Sequence, residues 1–185
     1  MTTNRLGEIL RDGDRYGDRY GLRYERRLRH PPEKVWRALV ESDSLRHWMP
    51  ADILGERRVG AVLAFPFWPA HVERYGIPAE QAVLAGRMLA WEPPRLLEYS
   101  WDADLLRFEL TPDGDGTRLL FTTWLGEVDQ YPADGTAAGY HACLDQLAEL
   151  LDTGSVALPV IDVPLGDLEE RYAALLADDG NRAWS

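Results

Sequence analysis

From Leu22 to Arg29 the chain alternates, with Leu22, Tyr24, Arg26 and Leu28 on one side and Arg23, Glu25, Arg27 and Arg29 on the other. A period of two with one charged side predicts a strand with one wet face. His30-Pro31-Pro32 ends it. Proline fits the first turn of a helix and Glu33 favours its positive end, so a helix is predicted over 31–40, burying Val35, Trp36, Leu39 and Val40. Ser42 or Asp43 is expected to cap a second short helix that ends near Trp48 and Pro50.

Five later segments, 57–67, 82–91, 96–101, 105–111 and 118–125, have strand length and β-type residues. Gly60, Pro93-Pro94, Asp102-Ala103-Asp104 and Asp113-Gly114-Asp115-Gly116 break them up, which predicts an antiparallel meander. Leu97, Tyr99 and Trp101 share one face of their strand, as do Leu106, Phe108 and Leu110 of the next. Ala137, Tyr140, Leu144, Leu147 and Leu151 then recur at three- and four-residue spacing. They predict a long helix opened by Asp134 or Thr136 and stopped by Asp152-Thr153-Gly154. Leu168, Tyr172, Leu175 and Leu176 mark a last helix over about 165–177.

The expected fold class is α+β, a helix-grip fold. A curved antiparallel sheet wraps a long C-terminal helix, and two short helices follow the first strand. The expected division is an extension or edge hairpin at 1–20, the helix-grip domain at 21–154, and a linker with a short amphipathic helix at 155–185. Within the first part, residues 6–11 followed by Asp12-Gly13-Asp14 read equally well as a hairpin or as a frayed tail. The tandem Asp-Arg-Tyr-Gly at 14–17 and 18–21 is too short for a repeat architecture.

A content of 45% hydrophobic and 28% charged residues is that of a globular chain, so disorder is not the default. Twenty Lys and Arg against 31 Asp and Glu give a net charge of -11, which disfavours nucleic acid and anionic membrane surfaces as partners. No apolar run approaches the roughly 20 residues that cross a bilayer, and the first residues lack the apolar core of a secretory signal. The expectation is a cytoplasmic protein. The lone Cys143 cannot form an internal disulfide, in keeping with a reducing compartment.

His30, His47, His71 and His141 show no metal-pair spacing, and no glycine-rich phosphate cradle occurs, so no metal or cofactor is expected. His141 and Cys143 lie two apart on a helix, about 200° around its axis, and cannot serve each other as base and nucleophile. Asp113-Gly114-Asp115-Gly116 reads as a turn, since the later ligand positions of a calcium loop are missing. Seven Trp, eight Tyr and four Phe remain as the main chemical feature. They either fill a core or line a cavity.

Three segments carry a family likeness: Tyr24-Glu25-Arg26-Arg27-Leu28 with Pro32-Glu33-Lys34-Val35-Trp36, then Pro93-Pro94-Arg95-Leu96-Leu97-Glu98-Tyr99-Ser100-Trp101, then Gly139-Tyr140-His141-Ala142-Cys143-Leu144. In this order, over about residues 20–154, the chain resembles the START-like or SRPBCC superfamily, in the branch named after the activator of the heat-shock protein 90 ATPase. The resemblance implies a hydrophobic cavity between sheet and helix. Members use it to bind lipids, hormones or polyketides, to catalyse cyclisation or hydrolysis, or to serve a chaperone partner. Where that family usually has Gly-Trp, this chain has Gly139-Tyr140, which alters the cavity's shape and polarity.

The leading expectation is binding of a small hydrophobic or amphipathic molecule by Trp48, Phe65, Tyr99, Trp101, Phe108, Tyr140 and Leu144. The alternatives are an enzyme of cyclase or hydrolase type using His141, Tyr140 or Glu109, and a partner-binding module acting as a homodimer or on a chaperone.

Overall fold

The computed structural model describes residues 5–10, 20–126 and 133–182. Its eight strands are β1 (Glu8–Leu10), β2 (Gly21–Leu28), β3 (Leu54–Gly55), β4 (Val62–Pro66), β5 (Val83–Glu92), β6 (Leu96–Trp101), β7 (Asp104–Asp113) and β8 (Gly116–Trp124). They form one antiparallel sheet in the order β1-β2-β8-β7-β6-β5-β4-β3. The helices are α1 (Pro32–Val40), α2 (Ser42–Trp48), α3 (Pro69–Tyr75), α4 (Ala133–Thr153) and α5 (Gly166–Arg182).

The alternation in β2 is realised as expected: Leu22, Tyr24, Arg26 and Leu28 are buried while Glu25 and Arg27 are exposed. Register carries the pattern across the sheet. Tyr24 pairs with Phe121, which pairs with Phe108, which pairs with Leu97, so the apolar residues of four strands stand on one concave face. A bulge between Met88 and Ala90 interrupts the β5–β6 register; bulges of this kind strengthen local twist. The long helix α4 lies on the concave face, with Ala137, Leu144, Leu147 and Leu151 buried there and the Tyr24 hydroxyl donating to the Ala137 carbonyl at 2.9 Å. Sheet and helix make the α+β helix-grip fold.

Several local expectations are corrected. Ser42 and Asp43 are inside α2, whose cap position is Glu41 and carries no side-chain cap. Asp134 and Thr136 are likewise inside α4, which begins at Ala133. The strand expected over 57–67 starts only at Val62, because Gly60 takes φ 83 and turns the chain first. The stretch between Phe67 and Ala82 holds a helix, α3, where no element was expected. Pro69 opens it, and Gly76 in the left-handed region (φ 58) closes it. The hairpin turn at Asp12-Gly13-Asp14 lies outside the described residues, while β1 pairs antiparallel with β2. Among the described residues no helix is long and apolar enough to cross a membrane.

Candidate functional site

The interior of the grip is filled with rings. Trp101 stacks on Phe65 (centroids 5.5 Å apart, 12° between planes), Phe65 meets Tyr99 at 5.3 Å, and Tyr99 meets Phe108 at 6.2 Å. The chain continues from Phe108 to Phe121 at 4.6 Å and from Phe121 to Tyr140 at 5.2 Å. These separations are those of favourable aromatic pairs and leave no room for a ring between them. Trp48, 2% exposed, packs edge-on against Phe108 at 6.3 Å and donates its indole N–H to the Ala38 carbonyl. Leu144 is buried beneath α4. Trp48, Phe65, Tyr99, Phe108 and Leu144 are therefore packed core residues.

Open space begins where the ring chain ends. A cavity of about 710 Å³ is lined by Pro50, Phe67, His71, Tyr75, Trp101, Tyr140 and residues of the β6–β7 turn, Asp102 to Asp104, with Ile77 and Leu84 completing its apolar wall. A second lobe of about 220 Å³ shares Pro50, His71, Tyr75, Trp101 and Tyr140, and adds Thr136, Gly139 and Cys143 from α4 with Val160 and Leu165 from the segment after it. Of the residues singled out from the sequence, the structure brings Trp101 and Tyr140 together at this mouth.

His71, Tyr75 and Phe67 complete the wall, and their rings form a stack: Phe67 lies 6.3 Å from His71, and His71 lies 5.3 Å from Tyr75. His71 and Tyr75, four apart, share one face of α3, the helix-face signal that reveals them although Pro69, Gly76 and Pro78 read as loop. Phe67 stacks on His71 from the extended chain just before the helix. Two acidic residues also line the larger lobe. Asp104 accepts the Gly126 N–H at 2.8 Å.

Burial shifts the ionisable groups of the mouth. Burial pushes the Tyr140 hydroxyl well above its ordinary range, helped by the nearby Asp104 charge, so it stays a neutral hydrogen-bonding group. Burial likewise lifts the Cys143 thiol to about 12, leaving almost no thiolate. The His71 imidazole is shifted the other way, below its usual value, because burial disfavours its cation. Its ring nitrogens make no hydrogen bond with another described residue, and burial alone accounts for the shift.

His141 stands elsewhere. One residue along an α-helix is a rotation of about 100°. So while Tyr140 faces the mouth, His141 faces α5, fully buried, with Nδ1 2.8 Å from the Tyr172 hydroxyl and Nε2 3.3 Å from Asp145. Glu109 projects from the outer sheet face, where it pairs with Arg107 at 3.1 Å. No group of three or more His, Cys, Asp or Glu among the described residues is placed to hold a metal.

The family model described as activator of Hsp90 ATPase homolog 1-like protein matches residues 29–152. Among solved structures, the chain is similar to EF2215 of Enterococcus faecalis, a conserved protein of unknown function, with 21% identity, a TM-score of 0.73, and 93% of this chain and 91% of that one covered. The protein encoded by gene BPP1335 of Bordetella parapertussis is 26% identical, with a TM-score of 0.63 and 94% of each chain covered. The Aha1 dimer of Colwellia psychrerythraea shares 17% identity at a TM-score of 0.56, covering 72% of this chain and 97% of that one. No curated protein matches the chain.

Proposed function

The chain belongs to the activator of Hsp90 ATPase homolog 1-like family, and from that premise we propose that it binds a small apolar or amphipathic molecule at the mouth of the grip. One observation carries this reading: two adjoining lobes share an aromatic wall at the open end of a sheet whose interior is otherwise packed. Burying roughly 200 Å² of apolar ligand surface at about 25 cal/mol per Å² gives some 5 kcal/mol before association costs, so a generic probe binds in the micromolar to millimolar range. Titration with the neutral dye N-phenyl-1-naphthylamine tests it. Saturable dye emission and a rise in melting temperature, both weakened in Trp101→Leu, support the reading. Emission that never saturates, with no stabilisation, refutes it.

A second reading, a partner-binding module, has its own observation. Leu54, Val62 and Val83 are 48%, 65% and 54% exposed, and the register places them on the same outer face of β3, β4 and β5. Sedimentation of the chain alone tests self-association through that face. A mass that stays monomeric at high concentration removes the homodimer form of this reading.

A further inference from the structure

The mouth carries a charge pattern that apolar binding does not require. Asp102 and Asp104 line the larger lobe, and no Lys or Arg lines either lobe among the described residues. Phe67, Tyr75, Trp101 and Tyr140 place four aromatic rings around the same space. Aromatic faces attract cations through the ring quadrupole, and a carboxylate at the rim adds direct attraction. His71, the one ionisable nitrogen base on this wall among the described residues, is held toward its neutral form by burial and brings no opposing charge at neutral pH.

The two carboxylates are set there by the backbone. Trp101 pairs with Asp104 across a two-residue turn, and Asp102 takes φ 51 within it. Glycine is the residue of least cost at such a position. Asp tolerates it and adds a charge. The Asp102 backbone N–H donates to the Ala85 carbonyl at 2.9 Å, and its carboxylate has no hydrogen-bond or ion-pair partner among the described residues. Asp104 is fixed by the Gly126 N–H. The Asp102 carboxylate, beside an aromatic wall, is unsuited to a carboxylic acid and suited to an ammonium group.

We propose that the mouth cavity selects amphipathic amines, with an apolar body against Trp101 and Tyr140 and the ammonium group toward Asp102 and Asp104. This names the ligand class of the site described above and rests on the binding reading. Three probes with one body separate the two: 4-phenylbutylamine, 4-phenylbutanol and 4-phenylbutyrate, titrated calorimetrically into the full chain near neutral pH at about 0.15 M salt, where long-range attraction is screened beyond about 8 Å. The amine is expected to bind at least about fivefold more tightly than the alcohol, and the carboxylate more weakly than the alcohol.

Asp102→Asn should cut the amine's advantage by about threefold and leave the alcohol unchanged, since Asn also accepts the left-handed conformation. Asp104→Asn, which keeps an acceptor oxygen for Gly126, is the second variant. Asp115→Asn is the control. It removes the same charge from the β7–β8 turn, at the far end of a ten-residue strand roughly 30 Å long, and should change nothing. Equal affinities for all three probes overturn amine selectivity and leave the binding reading standing. An equal loss in Asp115→Asn assigns the preference to the net charge and also overturns it. No binding of any probe overturns both.

Discussion

The Tyr172 hydroxyl of α5 lies 2.8 Å from His141 Nδ1 of α4, and both side chains are fully buried. The same hydroxyl accepts the Gly7 N–H at 2.8 Å, so one phenol oxygen ties the C-terminal helix, the gripped helix and the segment leading into β1. His141 Nε2 lies 3.3 Å from an Asp145 oxygen, and Asp145 also takes the Arg26 guanidinium at 3.2 Å, so each imidazole nitrogen has a polar partner. An imidazole committed on both nitrogens and shut from solvent is a structural tie.

Tyr172→Phe keeps the ring and removes the tie. It leaves the buried Gly7 N–H without its acceptor, and stability should fall by about 1–3 kcal/mol in urea unfolding. Truncation after Gly154 should cost more, because it also strips the apolar cover of Leu168, Tyr172 and Leu175 from the core. A truncated chain that melts with the full one would make α5 a free appendage.

Interior and mouth rings should behave oppositely. Phe108→Leu, in the packed chain between Tyr99 and Phe121, should cost up to about 1.5 kcal/mol and leave dye affinity unchanged. Tyr140→Leu should weaken dye binding severalfold, measured by fluorescence titration at a temperature where both variants are folded.

This contrast also marks what the sequence could tell. The alternation in β2 and the stripe from Ala137 to Leu151 made the helix-grip fold legible, since periodicity reports which side of an element faces inward. It does not report how far along the element a cavity begins. Phe65, Tyr99, Phe108, Trp101 and Tyr140 share one pattern, and only their positions relative to the open end of the sheet separate core from wall. His71 and Tyr75 went unread because the breakers around α3 outweighed a two-turn aromatic stripe.

Cys143 should be nearly inert. With its pKa lifted to about 12 by burial, the thiolate is scarce at pH 8, and reaction with a charged thiol reagent should be orders of magnitude slower than in the denatured chain. Labelling as fast as that of a free thiol would mean the α4 side of the small lobe is open to water.

Stability should depend on His71 in acid. Burial lowers its pKa below the ordinary value of 6.5, so the folded protein resists a proton that the unfolded chain accepts. This contribution is complete above about pH 6.5 and is lost as pH falls through the folded pKa beneath it. Asp102, Asp104, Tyr75, Tyr140 and Cys143 also line this space. Comparing wild type with His71→Gln cancels what they contribute to both. The difference in unfolding free energy should shrink on the wild-type side between pH 7 and pH 5; parallel curves would contradict it.

Gly139 offers the most direct test of where the ligand sits. It lines the small lobe from within α4, and a Cβ built on it meets nothing within 4 Å. Gly139→Leu should therefore fill that lobe without a clash and favour the helix by roughly 0.5–1 kcal/mol, raising the melting temperature by about 1–4 °C. N-phenyl-1-naphthylamine affinity, measured by fluorescence on this variant and on wild type, should fall at least about tenfold while the fold becomes more stable, a loss of some 1.4 kcal/mol in binding. Undiminished affinity in a stabilised Gly139→Leu variant would empty the small lobe of ligand and contradict a site that spans both lobes across their shared aromatic wall.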